Sequence, residues 1–328
     1  MLHVRLIKPA TRLLKHYYQE LLARQGWRPC VDDIDCFLEL DPTAFYVGEL
    51  DGKPIATRSI IKYANGYHHL GSYCVEEQYR HRGRAGLTIW LKGVRPWAPR
   101  FRGPALYLVI IFFAQIDQIC LANSIGAKNR SIYSGPDIAR IAEKSHNMIS
   151  RWTVGIYDLN ITKALDALKD YSDCCEVKCI SKINMEDIYS YDTAVFGYNR
   201  SKFLQKWLNT PGTHTRAAID KEGSLVGYVA ARTAFIHEEG YKIGPLFCED
   251  IEVGKALLKG VFEDIRDRGL SSSNSVIVDS PTGRNSQAKE LMKIVRGKYL
   301  GYNEFMTTNG LPKGCFDQWF AITSPVCG

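Results

Sequence analysis

The string Arg80-His81-Arg82-Gly83-Arg84-Ala85 has the residue types and spacing to hold a pyrophosphate. A turn that leads from a strand into a helix presents successive backbone N–H groups and a helix N-terminus, and both attract anionic oxygens. Gly83 lets the main chain approach the ligand closely, Ala85 keeps that surface free of bulk, and Arg80, Arg82 and Arg84 add positive charge. A second string, Arg100-Phe101-Arg102-Gly103-Pro104-Ala105, has the same letters. There Pro104 has no N–H to donate, and the apolar run that follows reads as a strand rather than a helix. Context therefore selects the first string.

The elements around that turn can be read from periodicity and breakers. Residues 3–8 form an expected strand, and Leu13, Leu14, Tyr17, Leu21 and Leu22 recur at helical spacing before the break at Gly26-Trp27-Arg28-Pro29. Asp32-Asp33-Ile34-Asp35 offers N-cap carboxylates to a second short helix. Three β-runs follow, 45–50, 54–63 and 67–75, joined by Asp51-Gly52 and Asn65-Gly66, which are strong hairpin signals. This meander delivers the chain to the 80–86 turn. Residues 105–113 read as a buried strand, 138–148 as a helix and 151–160 as a strand.

The same order then returns. A strand at 175–182 precedes helices at 185–196 and 200–208. Strands at 217–219, 225–235 and 241–247 lead to a helix at 251–268, whose Leu257, Leu258, Val261, Phe262 and Ile265 share one face. A strand at 275–279, a helix at 286–294 and strands near Tyr302 and at 316–322 complete it. The expectation is an α/β (α+β) protein of two similar domains, 1–160 and 175–328, joined by a linker at 161–174. Each domain has a mixed, largely antiparallel sheet flanked by helices.

Composition narrows the partners. With 328 residues, 45% hydrophobic and 23% charged, the chain has the make-up of a soluble globular protein. A net charge of +7 favours an anionic ligand without the lysine-rich tail of a polyanion binder. The 18 tyrosines are not interleaved with basic residues along one element, so nucleic acid is a poor candidate. The longest apolar run, 105–114, is about half the length that spans a bilayer as a helix. Residues 1–12 read as a strand rather than a secretory signal, so a cytoplasmic location with its 10 cysteines reduced is expected. Cys174, Cys175 and Cys179 cluster with no second pair at zinc spacing, so no metal is expected.

Taken together, the sequence 75–87 resembles motif A of the GNAT acyltransferase superfamily. Gly26-Trp27-Arg28-Pro29, Asp41-Pro42, 48–54, 192–200, Tyr241-Lys242-Ile243-Gly244-Pro245-Leu246-Phe247, Asp279-Ser280-Pro281 and Ile322-Thr323-Ser324 are similar to the tandem-domain, YitH-like acetyltransferases. The resemblance implies acetyl-CoA as co-substrate, held by Arg80, His81, Arg82, Gly83, Arg84, Ala85 and Gly86, and a primary amine as acceptor. It implies that Tyr73, Cys74 and Val75 lend backbone groups to the pantetheine and the acyl carbonyl. In such enzymes the amine attacks the thioester directly while a base on the fourth strand takes its proton. His69 occupies the place of that base, and Tyr133 is the candidate acid for the leaving thiolate. An ordinary packed histidine and a packed aromatic are the plainer readings of both. No His/Asp arrangement accompanies Cys74, so a covalent acyl-cysteine is not expected.

Where a second pyrophosphate turn would stand, the chain has Gly244-Pro245-Leu246-Phe247-Cys248-Glu249, with no arginine. One acetyl-CoA site, in the N-terminal half, is expected. The alternative is an inactive acyl-CoA-binding scaffold of the same fold. Gly83→Asp, which puts a carboxylate where the pyrophosphate would lie, is expected to abolish acetyl-CoA binding in calorimetry. An unchanged isotherm would reject the turn as the anchor.

Overall fold

A computed structural model describes residues 2–6, 11–79, 128–171, 174–269 and 271–328. The 80–86 turn, the helix expected after it and the strand expected at 105–113 lie outside the described residues. In the first half, β1 (Leu2–Leu6) is followed by α1 (Arg12–Arg24) and α2 (Asp33–Phe37). The meander is β2 (Phe45–Leu50), β3 (Lys53–Lys62) and β4 (Tyr67–Val75). Asp51 and Gly52 between β2 and β3, and Asn65 and Gly66 between β3 and β4, all take positive φ, the mirror-image turn geometry that suits the twist of a hairpin. Then come β5 (Asn129–Ser134), α3 (Pro136–His146) and β6 (Ile149–Asn160).

The second half begins with α4 (Ile161–Ala167), which occupies much of the expected linker, and β7 (Glu176–Lys178). It continues with α5 (Met185–Phe196), α6 (Ser201–Asn209), β8 (Thr213–Ile219), β9 (Leu225–Thr233) and β10 (Tyr241–Cys248). α7 (Ile251–Arg268) is capped by Asp250, whose carboxylate accepts from the Val253 N–H at 2.9 Å, and it buries the leucine face read from the sequence. β11 (Ser275–Ser280), α8 (Ser286–Ile294), β12 (Lys298–Thr307) and β13 (Trp319–Ala321) finish the chain.

The described strands join one sheet, in the order β1-β2-β3-β4-β5-β12-β6-β11-β10-β9-β8-β7, with β13 set against β10. The halves exchange strands at the middle of this order. β12, late in the chain, lies between β5 and β6, and β6 lies between β12 and β11. The strand expected at 151–160 thus forms, over 149–160, but it pairs with β11 and β12 of the second half. The main apolar cluster also crosses between halves: Phe37 stacks on Phe203 and Trp207 with centroids 6.4 and 5.7 Å apart, and Trp152 stacks on Phe305 at 4.6 Å. Rings of this size bury enough apolar surface for about 2–3 kcal/mol each.

A buried ion pair ties the helices of the second half to its last segment. Arg200 donates from Nε and Nη2 to the two oxygens of Asp192 at 2.9 and 2.8 Å, and from Nη1 to Thr323 Oγ1 at 2.8 Å. Tyr228 adds a 2.5 Å bond to Asp192, and the Phe196 ring lies 3.8 Å beneath the guanidinium. Burial alone would weaken the charge on Arg200, but Asp192 outweighs it and holds the group more strongly protonated than usual. Removing one partner strands a charge in a dry interior. Arg200→Ala and Asp192→Ala are each expected to lower stability in urea unfolding by about 3–5 kcal/mol; a loss below about 1 kcal/mol in both would contradict this reading.

Candidate active site

Two parallel strand pairs occur among the described residues, one in each half, and both splay. β4 and β5 are in register from Tyr67↔Asn129 to Leu70↔Ile132, and β10 and β11 from Tyr241↔Val276 to Ile243↔Val278. Beyond the last pair the partner strands part. Backbone groups left by such a parting need another partner.

In the second half that partner is the chain itself. β13 enters the gap and pairs antiparallel with β10 through Leu246↔Ala321 and Phe247↔Trp319. Its other side reaches β11, where the Ile322 N–H donates to the Asp279 carbonyl at 2.9 Å and the Ser280 hydroxyl to the Phe320 carbonyl at 2.7 Å. A Cβ on Gly244 would lie 2.2 Å from the Thr323 carbonyl oxygen, so only glycine lets this segment sit so close.

In the first half the gap opens onto a cavity of about 390 Å³. Gly71, Ser72 and Tyr73 of β4 line it from one side, and Ile132, Tyr133 and Ser134 of β5 from the other. Trp27, Arg28 and Asp33 come from the α1–α2 region and Arg58 from β3, while Lys242, Ile277, Asp279 and Asn303 come from the second half. Ser324, Pro325 and Val326, which continue from β13, form another wall. The volume suits a small-molecule site. Four motifs far apart in sequence, those at 26–29, 241–247, 279–281 and 322–324, thus meet around one space. They stood out in the sequence as signatures, but nothing in it showed that they shared a site.

β4 bulges at the mouth of the gap. Thr57 pairs with Cys74 and Ser59 with Gly71, so β4 carries one extra residue there, and Ser72 takes φ 52°. A left-handed serine inside a strand costs of the order of 1–3 kcal/mol and is held by its surroundings. Here Tyr18 bonds the Ser72 hydroxyl, Ser59 lies 3.2 Å from it, and Thr57 donates to the Ser72 carbonyl at 2.8 Å. Of the strand residues singled out in sequence, Tyr73 lines the cavity beneath the Arg58 guanidinium, 5.0 Å from its ring centroid. Cys74 and Val75 are buried in apolar clusters and do not line the cavity.

His69 is fully buried, and both its nitrogens are engaged. Nε2 lies 3.0 Å from the Pro325 carbonyl, which can only accept, so Nε2 carries the proton. Nδ1 then accepts from the Ser131 hydroxyl at 2.8 Å, and Ser131 in turn accepts from Tyr67 at 2.6 Å. Burial pushes the His69 pKa down to about 4. The ring is not among the cavity's lining residues, though Tyr133 lies against it with centroids 5.5 Å apart. His68 is buried as well. Tyr133 is almost fully buried, its hydroxyl has no hydrogen-bond partner among the described residues, and burial keeps it protonated far beyond neutral pH.

The carboxylates of the cavity are paired. Asp33 accepts from Arg232 at one oxygen and from the Cys30 N–H at 2.7 Å at the other. Lys242 Nζ lies 2.8 Å from Asp279. Burial opposes the Lys242 charge, but Asp279 more than offsets it and raises the lysine's pKa. No group of three or more potential metal ligands occurs among the described residues, and none of their helices is long and apolar enough to cross a membrane.

Comparison with known proteins agrees with this architecture. Residues 188–311 match the acetyltransferase (GNAT) domain family. Holothin acyltransferase of Pseudoalteromonas sp. (strain SANK 73390) is 23% identical over 307 residues, 94% of this chain and 87% of that protein. Among solved structures, a putative acetyltransferase from Pyrococcus horikoshii covers 100% of this chain and 96% of its own, with a TM-score of 0.66 and 15% identity. A tandem GNAT protein from the clavulanic acid biosynthesis pathway covers 95% of this chain and 100% of its own, with a TM-score of 0.63 and 10% identity. Residues 188–311 thus match a GNAT acetyltransferase domain, and the chain as a whole has the fold of tandem GNAT proteins. Its family match falls in the half whose gap is filled, and the cavity opens from the gap of the other half.

The depressed pKa of His69 fixes the sign of a pH effect. The folded ring stays neutral down to about 4, while an unfolded histidine takes a proton near 6.5. Its contribution is therefore present above 6.5 and is lost as pH falls from there toward 4. His69→Gln is expected to shrink the loss of stability between pH 7 and pH 5 by about 2 kcal/mol in urea unfolding. An unchanged pH dependence would mean that the ring is not held neutral.

Proposed function

We propose that the chain transfers an acyl group, acetyl in the simplest case, from acyl-CoA to a primary amine by direct attack at the open gap between β4 and β5. The observation that carries this reading is the contrast between the two gaps, one closed by β13 and one leading into a cavity. On this reading the chain divides into 1–160 and 175–328, joined at 161–174, and a single acyl-CoA enters the first half. The arginines of the 80–86 turn take the pyrophosphate, and backbone groups near the Ser72 bulge face the thioester carbonyl.

Within the reaction, the amine nitrogen bonds to the thioester carbon and the carbon–sulfur bond breaks. The proton shed by the nitrogen balances the one taken up by the thiolate. On this reading Tyr133, protonated and without a partner among the described residues, hands a proton to sulfur. His69 can act as the base only if its bond to Ser131 opens. As the structure stands it positions β5 and the 324–326 wall. The name of the Pseudoalteromonas relative, holothin acyltransferase, supports acyl transfer.

A second reading, an acyl-CoA-binding protein without turnover, is favoured by one observation, the occupied lone pair of His69. Thiol release from acetyl-CoA in the presence of an amine panel separates the two. The transferase reading expects release above background, and it expects Tyr133→Phe to lower kcat about a hundredfold with acetyl-CoA binding kept. No release with any amine would favour the binder, and an unchanged kcat in the variant would remove Tyr133 from the chemistry.

A further inference from the structure

Arg28, Arg58 and Lys242 reach the cavity wall, while its two carboxylates are committed: Asp33 to Arg232 and the Cys30 N–H, Asp279 to Lys242. Much of the remaining wall is apolar or aromatic, including Trp27, Ile156, Ile277 and Tyr73. A protonated alkylamine entering this space would lose its hydration and find no uncommitted carboxylate among the described residues to replace it.

We propose that the acceptor is a flat, weakly basic amine, an aryl- or heteroarylamine that arrives uncharged at neutral pH. This rests on the transferase reading above. Delocalisation of the nitrogen lone pair into a ring keeps such an amine neutral, so no base has to deprotonate it before attack. That fits a cavity that His69 does not line and whose carboxylates already hold cations. Aromatic walls suit a planar ring. Asp279 can accept an N–H from the neutral amine while keeping Lys242, and this bond positions the nitrogen. In the transfer, nitrogen gains its bond to the acyl carbon, sulfur leaves with the carbon–sulfur electron pair, and one N–H proton replaces it on sulfur. The products are the anilide and free CoA thiol.

The probes are p-toluidine and benzylamine, isomers with the same atoms, one uncharged and the other protonated at pH 7. Saturation-transfer NMR on the full chain reads binding without requiring turnover. The expected result is that p-toluidine binds at least about tenfold more tightly than benzylamine, and that kcat/KM for thiol release from acetyl-CoA follows the same order where turnover occurs. Equal binding, preference for benzylamine or no p-toluidine binding would overturn the proposal. Lys242→Met uncovers the Asp279 carboxylate and is expected to move the preference toward benzylamine; a melting curve and acetyl-CoA calorimetry on that variant report whether it folds. Failure of acetyl-CoA to bind the wild type would instead reject the transferase reading, which the amine titration does not test.

Discussion

The structure turns on how splayed parallel strands satisfy their backbones. Where β4 and β5, or β10 and β11, stop pairing, polar main-chain groups are left that neither an apolar core nor a void can satisfy. One gap receives β13, and the other opens onto a cavity. A single stretch of chain serves both: residues 319–322 fill the first gap, and 324–326 wall the second. The glycines at equivalent registers, Gly244 and Gly71, each press against a carbonyl of that stretch, Thr323 and Val326 respectively. Arg200 pins the same stretch through Thr323, so the ion pair that stabilises the second half also positions a wall of the site in the first.

Register equivalence also explains why the cavity is chemically two-sided. Tyr133 follows the last paired residue of β5, and Asp279 follows the last paired residue of β11. Likewise His69 and Lys242 precede the last paired residues of β4 and β10. In one half these positions hold a neutral histidine and a phenol without a partner among the described residues, and in the other an ion pair. The cavity thus has a neutral phenol, Tyr133, on one side and a charge-balanced pair, Lys242 and Asp279, on the other. The strand exchange of β6 and β12 holds the two sides in one sheet.

Much of the fold was legible in local signals. Hairpin turns at Asp51-Gly52 and Asn65-Gly66, the leucine face of α7 and the repeated order of elements all act over short distances, and the structure carries each of them. The exchange of β6 and the insertion of β13 were not legible, because which strand a run pairs with depends on partners far along the chain, beyond the reach of any local signal. The same limit applies to the site. Trp27, Lys242 and Asp279 each sat in a motif the sequence displayed, yet their convergence is a property of the sheet order. His69 shows the converse: its strand position suggested a base, and only the contacts to Ser131 and Pro325 show its lone pair and proton already in use.

Amide hydrogen exchange with and without acetyl-CoA tests the central asymmetry most directly, because it reads both gaps in one experiment. Slower exchange on addition of acetyl-CoA across residues 71–75, with no change across 244–248, is the predicted result. Protection at 244–248, or none at 71–75, would contradict a site built on the open gap alone.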